Sequence, residues 1–226
     1  MRKLRSVSYQ KIIGTMGKNY INKKGGNVME NQVIISIGRE YGSGGHEIAE
    51  KLAKRLELPI YDRNLLDRMA EEKSMDGEKL KKYDEAPRRL LLSRTVRGYS
   101  NSPEENIAHM QFDFIKGKAE SGESFVVVGR CSDDLLKEYE GLISIFVLGD
   151  MDKKIDRVMR IRNMTEEEAK AAIYRHDKKR KSYHNYYCAG KWGDSRCYDI
   201  CVNSSKMGVD KTVDILETYI RSRMEN

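Results

Sequence analysis

The segment that most constrains the fold runs from Val33 to Ala53 and reads VIISIGREYGSGGHEIAEKLA. Four of its first five residues are Val or Ile, a composition typical of a strand buried in a parallel sheet. Three glycines follow within four residues, and apolar residues then recur at helical spacing from Ile48 to Leu56. A glycine turn between a strand and a helix can bind phosphate, because its N–H groups surround an anion at the positive end of the helix. The sequence therefore predicts an anion-binding loop, with a ligand-free tight turn as the simpler alternative.

The glycine turn matches the Walker phosphate-loop pattern only in part. The segment GSGGH stands where that pattern has GSGK followed by Ser or Thr. In this alignment Arg39 falls at the first glycine, Gly45 at the lysine and His46 at the hydroxyl residue that holds Mg²⁺. The predicted phosphate-binding residues are Gly42, Ser43, Gly44, Gly45 and His46. Arg39 lies on the same loop and could supply the positive charge that Gly45 lacks.

Five short apolar runs alternate with helical patterns along the chain. After the first, the predicted strands are Leu58–Tyr61, Phe125–Val128, Leu142–Leu148 and Tyr198–Val202. This alternation predicts an α/β fold with a five-stranded parallel sheet, the first strand central and helices on both faces. Ligands of such sheets bind beyond the carboxyl ends of the strands. The segments at those ends, expected around one cleft, are Gly42–Gly45, Asp62–Arg63, Gly129–Arg130 and Asn203–Ser205.

The 226 residues carry a net charge of +7, which suits an anionic ligand or simply a solvated basic surface. Residues 1–29 hold seven basic residues and no acidic one. We expect residues 1–30 to form a disordered basic extension; the alternative is that translation starts at Met29. No apolar run is long enough to cross a membrane, and no secretory signal precedes the four cysteines. A cytoplasmic protein with free thiols is therefore expected.

Taken together, these segments resemble the cytidylate kinase-like family of P-loop nucleoside monophosphate kinases. The resemblance covers about residues 33–220 and rests on SIGREYGSGGHEIAEKLA, PIYDRNLL, VVVGR, the Asp177-x-x-Arg180 pair and YDICVNSSKMGVDKTVDIL. It implies a three-layer P-loop kinase fold over residues 31–226. It also implies a helical insert that binds the nucleoside monophosphate, at about residues 74–105, and a mobile lid at about residues 162–197.

The resemblance implies that the γ-phosphoryl group of ATP, brought as Mg-ATP, passes to CMP, dCMP or a related nucleoside monophosphate. By the resemblance, Arg130 matches an arginine that contacts the acceptor, and Asp177 and Arg180 match the Asp-x-x-Arg of the lid. We predict that Asp62, Arg63, Arg130 and Arg157 bind the acceptor, and that Arg39, Asp177 and Arg180 are catalytic. The chain departs from the family pattern at two positions. Cys131 follows Arg130 where the family has Asp, with Asp133 or Asp134 as substitutes, and Ile173 stands where the family has a lid arginine.

Two other functions stay open at this point. Loss of the loop lysine at Gly45 removes a group that stabilises the transferring phosphoryl, so the chain could be a weak or inactive nucleotide-binding or regulatory protein with a degenerate loop. A nucleic-acid-binding protein that uses the basic extension is the third hypothesis, and it lacks a recognised motif.

Overall fold

A parallel sheet forms the centre of the fold. The computed structural model describes residues 32–73, 95–96, 99–100 and 102–225. Its strands are β1 (Ile34–Arg39), β2 (Ile60–Tyr61), β3 (Thr95–Val96), β4 (Tyr99–Ser100), β5 (Phe125–Val128), β6 (Leu142–Leu148) and β7 (Ile200–Asn203). Five of them form one sheet in the order β2-β5-β1-β6-β7, with every neighbouring pair parallel. The predicted sheet, with the first strand at its centre, is confirmed.

Helices cover both faces of the sheet. They are α1 (Gly45–Arg55), α2 (Leu65–Lys73), α3 (Pro103–Glu120), α4 (Ser132–Leu135), α5 (Met151–Arg162), α6 (Glu166–Tyr187) and α7 (Gly208–Met224). Short 3₁₀ turns occupy Ser195–Cys197 and Ser204–Lys206. On one face, Ile35 and Ile37 pack with apolar residues of α1 and α7, and on the other Ile34 packs with those of α2 and α3.

Alternation along β1 explains the three layers. Successive side chains of a strand point to opposite faces, and both faces of β1 are apolar, so each needs a covering layer. Ile34, Ile35 and Ile37 have no exposed surface. Burying one such side chain contributes about 1.5–3 kcal/mol. This core fixes β1, and hence the loop that follows it.

Two helix boundaries differ from those that the sequence pattern predicts. The apolar spacing predicts a helix from Asn106, but helix α3 begins at Pro103, because Ser102 Oγ accepts a hydrogen bond from Glu105 N and Pro occupies the first turn. The aromatic segment from Tyr183 to Trp192 predicts irregular structure, but helix α6 continues through Tyr187. Tyr183 and His184 are buried, and this tertiary packing overrides the mixed local sequence.

Two predicted regions fall wholly or largely outside the described residues. They are the extension at residues 1–30 and residues 74–94 of the helical insert. The described part of the insert contains the antiparallel pair β3–β4 and the first residues of α3. Thr95, Val96 and Tyr99 are β-branched or aromatic, which favours strands. Among the described helices, none has both the length and the apolar character that crossing a bilayer requires.

Candidate active site

The loop between β1 and α1 has the backbone that a phosphate-binding turn needs. Gly42 and Gly44 have φ angles of 84° and 81°, in the left-handed region that glycine adopts without strain. Ser43 N donates to Glu40 O at 3.4 Å, and Ser43 Oγ donates to the same carbonyl at 2.9 Å. Ser204 Oγ, from the turn after β7, donates to Ser43 O. The turn is thus fixed both internally and by the segment that follows β7.

Arg39 and Gly45 occupy each other's expected places in the loop. A Cβ added to Gly45 would lie 2.5 Å from Arg39 Cβ and 3.3 Å from Val147 Cβ. A lysine side chain therefore has no room to leave Gly45 while Arg39 is present. Relative to the Walker pattern, the glycine and the cation have exchanged positions, and the cation now comes from the end of β1.

A cavity of about 680 Å³ opens beside this loop. Its walls include the loop, the end of α5 and the middle of α6, and they carry many more cations than anions. The cationic side chains are Arg39, Arg63, Arg130, Arg157, Arg162, Lys179 and Arg180, and the acidic ones are Glu40, Glu47 and Glu50. This excess of positive charge favours a ligand with several negative charges.

Arg130 lies at the carboxyl end of β5 with only 3% of its surface exposed. Its Nη2 donates to the carbonyl oxygen of Asp62 at 3.0 Å, which joins the ends of two neighbouring strands. Arg130 and Cys131 have φ angles of 62° and 57°, an arrangement that is costly for residues with a Cβ. The fold therefore holds this guanidinium in a fixed place at the cavity wall.

Arg180 reaches the loop from α6. Its Nη1 donates to the carbonyl oxygen of Arg39 at 3.3 Å, and its guanidinium lies 5.7 Å from the centre of the Tyr41 ring. The other aromatic contact of Tyr41 is with His176, stacked at 4.2 Å. Burial, followed by the charge of Arg180, lowers the pKa of His176, so this imidazole adds no charge at pH 7. The predicted lid arginine thus lies beside Arg39.

Asp177 is placed beneath the loop rather than in the cavity wall. Its Oδ1 accepts a hydrogen bond from Tyr41 N at 2.6 Å, and its Oδ2 pairs with Lys154 Nζ at 3.1 Å. The same Nζ pairs with Glu40 Oε2 at 3.0 Å. Only 4% of the Lys154 side chain is exposed, so this buried cation joins α5, α6 and the loop.

Sequence reasoning missed Lys154, although a signal was present. Lys154 stands four residues before Val158 and three after Met151, on the apolar side of its helix. Asp177 likewise stands four residues after Ile173, on the apolar side of α6. A lysine and an aspartate on the apolar faces of consecutive helices indicate a buried pair.

A second cavity, of about 580 Å³, lies on the other side of the loop. It is lined by Gly42, Ser43, Glu47, Lys153, Asp156, Arg157, Arg160, Ser204, Ser205, Gly208 and Val209. Arg157 borders both cavities and forms an ion pair with Glu47, which lowers the pKa of that carboxyl. Arg157, predicted as an acceptor contact, therefore lines the cavities on both sides of the loop.

His46 lines the cavity of about 680 Å³, and Asp62 lies next to His46. Asp62 follows β2, and its Oδ2 lies 3.4 Å from His46 Nε2. Glu50, one turn further along α1, places Oε1 at 3.3 Å from the same nitrogen. Burial lowers the pKa of His46, although the two carboxylates act in the opposite direction. Arg63, next to Asp62, is exposed and also lines the cavity.

Known proteins share both the fold and parts of the sequence. A cytidylate kinase of Methanopyrus kandleri is 26% identical over 195 residues, which cover 85% of this chain and 95% of that protein. The crystal structure of an uncharacterized protein from Eubacterium ventriosum is 41% identical, with a TM-score of 0.68 and coverage of 84% of this chain and 99% of that one. The shikimate kinase of Bacteroides thetaiotaomicron shares the fold at 13% identity, with a TM-score of 0.51 and coverage of 84% and 98%.

The family model of the cytidylate kinase-like family matches residues 34–206. This span contains the glycine loop, the Arg130 turn and both helices that carry Lys154, Asp177 and Arg180. With the parallel sheet and the kinase neighbours, it identifies a P-loop kinase fold. The chain belongs to the cytidylate kinase-like family.

Proposed function

We propose that this protein is a nucleotide kinase that transfers the γ-phosphoryl group of ATP to CMP, dCMP or a related nucleoside monophosphate. The observation that carries the proposal is the exchange of Arg39 and Gly45, which keeps a cation at the loop although the Walker lysine is absent. Phosphoryl transfer depends mainly on positioning and on positive charge near the transferring oxygens. Family membership and the kinase relative support the same reaction.

The proposed roles are assigned to residues of the glycine loop and of the cavity beside it. The backbone of Gly42–His46 would hold the ATP phosphates, and Arg39 would take the place of the loop lysine. Arg180 would reach the transferring group from α6. Arg63 and Arg130, with Asp62, would bind the acceptor, because a planar guanidinium suits phosphate oxygens. Mg²⁺ as the companion of ATP and a cytoplasmic location are further parts of the proposal.

Turnover of a panel of acceptors tests the proposal directly. With ATP, we expect measurable phosphorylation of at least one of CMP, dCMP, UMP and AMP by the full chain. Arg39→Met and Arg180→Ala should each lower the turnover rate by about 30- to 1000-fold, the effect of losing about 2–4 kcal/mol of transition-state stabilisation. Arg130→Ala should mainly raise the KM of the acceptor.

Arg221→Ala is the matched control, since Arg221 is an exposed arginine of α7 that pairs with Glu217 outside both cavities. It should leave the kinetics unchanged. If the parent binds ATP but phosphorylates none of the four acceptors, the kinase proposal fails. A nucleotide-binding protein with a degenerate loop then becomes the better account.

A further inference from the structure

His46, Glu50 and Asp62 bring three ligand-type atoms together at the rim of the large cavity. One imidazole nitrogen and two carboxylate oxygens all lie within 4.8 Å of one another. Helix α1 places His46 and Glu50 one turn apart on the same face, and β2 delivers Asp62 from the sheet edge. The cluster thus depends on both local helical spacing and the tertiary fold.

The spacing of these atoms differs from that of a good hydrogen-bonded pair. His46 Nε2 lies 3.3 Å from Glu50 and 3.4 Å from Asp62, beyond the usual 2.7–3.2 Å of an N–H···O hydrogen bond. Two ligands that share a tetrahedral ion at 2.0–2.2 Å are about 3.3–3.6 Å apart. Both distances therefore match the spacing of metal ligands better than that of direct partners.

The donor set also differs from the one expected for Mg²⁺ alone. In the Walker pattern a hydroxyl holds Mg²⁺ at the position of His46. Mg²⁺ prefers six oxygen ligands, whereas an imidazole nitrogen suits first-row transition metals. His46 and Glu50 line the same cavity as Gly44 and Gly45, where the phosphates of a nucleotide would enter.

We propose that His46, Glu50 and Asp62 form a binding site for a divalent transition metal ion of the Co²⁺, Ni²⁺ and Zn²⁺ class. The site takes such an ion in preference to Mg²⁺, since Mg²⁺ gains little from the imidazole. Metal binding itself stands apart from the proposed kinase reaction. The role of the ion, to offset the charge of bound phosphates, rests on that proposed function.

Co²⁺ is the probe, because its visible absorption reports coordination number and ligand type. Titration of the full chain without nucleotide should give a saturable visible spectrum with one ion per chain. The near-ultraviolet band of a thiolate ligand should be absent, which separates this site from the four cysteines. His46→Ala and Asp62→Asn should each weaken binding by at least 10- to 100-fold, as removal of a ligand costs no less than removal of an outer partner.

His109→Asn is the matched control, because His109 is an exposed histidine on α3. It should leave Co²⁺ binding unchanged. Equal affinity of His46→Ala and the parent would overturn the proposal, as would displacement of Co²⁺ by an equal concentration of Mg²⁺. ATP binding measured in EDTA is scored separately, so failure of the metal site is distinguishable from failure of the nucleotide site.

Discussion

At the scale of single residues, the exchange of Arg39 and Gly45 makes a prediction that a simple loss of the lysine does not. Gly45→Lys alone should destabilise the fold by about 1–3 kcal/mol, because its Cβ would overlap Arg39 Cβ. The double variant Arg39→Gly/Gly45→Lys rebuilds the Walker order and removes that overlap. We expect the double variant to turn over the best acceptor at least ten times faster than Arg39→Gly does. If Gly45→Lys raised the turnover rate above that of the parent while Arg39 is still present, this account would be contradicted.

Lys154 belongs to the same scale, and it is a positioning residue. Its ammonium is the buried partner of both Glu40 and Asp177, so removal leaves two carboxylates without it. Lys154→Met should lower the free energy of unfolding by about 3 kcal/mol, the lower end for a broken buried pair because Glu40 is partly exposed. Urea denaturation measures the change.

Partial rescue separates the role of the pair from lost packing. Adding Asp177→Asn to Lys154→Met removes one of the carboxylate charges left without its lysine and should restore part of the stability. If Lys154→Met acted only through lost packing, the destabilising effects of the two substitutions would add. Lys154→Arg should keep the turnover rate closer to the parent than Lys154→Met does. An equal loss of turnover in both variants would show that the charge does not position the loop.

What the sequence could predict at this scale depended on the kind of contact. Gly42 and Gly44 were predictable, because a positive φ angle demands glycine locally. The position of Arg130 beside the cavity was predictable as well, because it stands two residues after a buried strand. The partners of Asp177 were not, since Lys154 is 23 residues away and the pairing depends on how two helices cross.

At the scale of elements, α6 joins the loop to the Arg130 turn. Thr165 and Glu168 form a capping box at its start. Nearer its end, His184 Nε2 donates to Asp133 Oδ2 at 2.7 Å, and both side chains are at most 8% exposed. Asp133, three residues after Arg130, thus holds α6 in place. It is one of the two residues considered above as substitutes for the aspartate of the family pattern. Helix α6 is therefore fixed at both the loop and the β5 end.

This ion pair predicts a pH dependence of stability. Burial alone would lower the pKa of His184, but its hydrogen bond with Asp133 raises the pKa above the ordinary value. A raised folded-state pKa stabilises the fold fully below the unfolded value of about 6.5, and this contribution is lost as the pH rises towards the folded value. Above pH 6.5 the free energy of unfolding should fall by up to about 1.4 kcal/mol per pH unit.

His184→Gln removes this titration and serves as the reference. Subtracting its urea-derived free energies from those of the parent, at each pH from 6 to 9, cancels the other histidines. The difference should decrease steadily over this range. A flat difference would show that His184 has the same pKa in the folded and unfolded chains.

At the scale of the whole molecule, the sequence predicted the architecture better than the contacts. Five apolar runs separated by helical patterns were sufficient for the parallel sheet, because burial on both faces leaves few other arrangements. The carboxyl ends of its strands then had to lie along one edge, so the grouping of the loop, Arg63 and Arg130 followed. The presence of two cavities, one on each side of the loop, could not be predicted, since it depends on the packing of α5 against α6 and of α7 against α1.

Those two cavities predict that donor and acceptor bind on opposite sides of the glycine loop. The smaller cavity is bordered by the turn after β7 and by Arg160, an exposed arginine whose planar guanidinium could stack on a base. The larger one contains Arg63 and Arg130, the proposed acceptor residues.

Arg160→Ala and Arg63→Ala form a matched pair, because each removes one exposed guanidinium. Arg160→Ala should raise the KM of ATP about 5-fold, the effect of about 1 kcal/mol of stacking, and leave the KM of the acceptor unchanged. Arg63→Ala should do the reverse. Initial rates measured over a grid of both substrate concentrations separate the two constants, and a shift of the same constant by both variants would place donor and acceptor in one cavity instead of two.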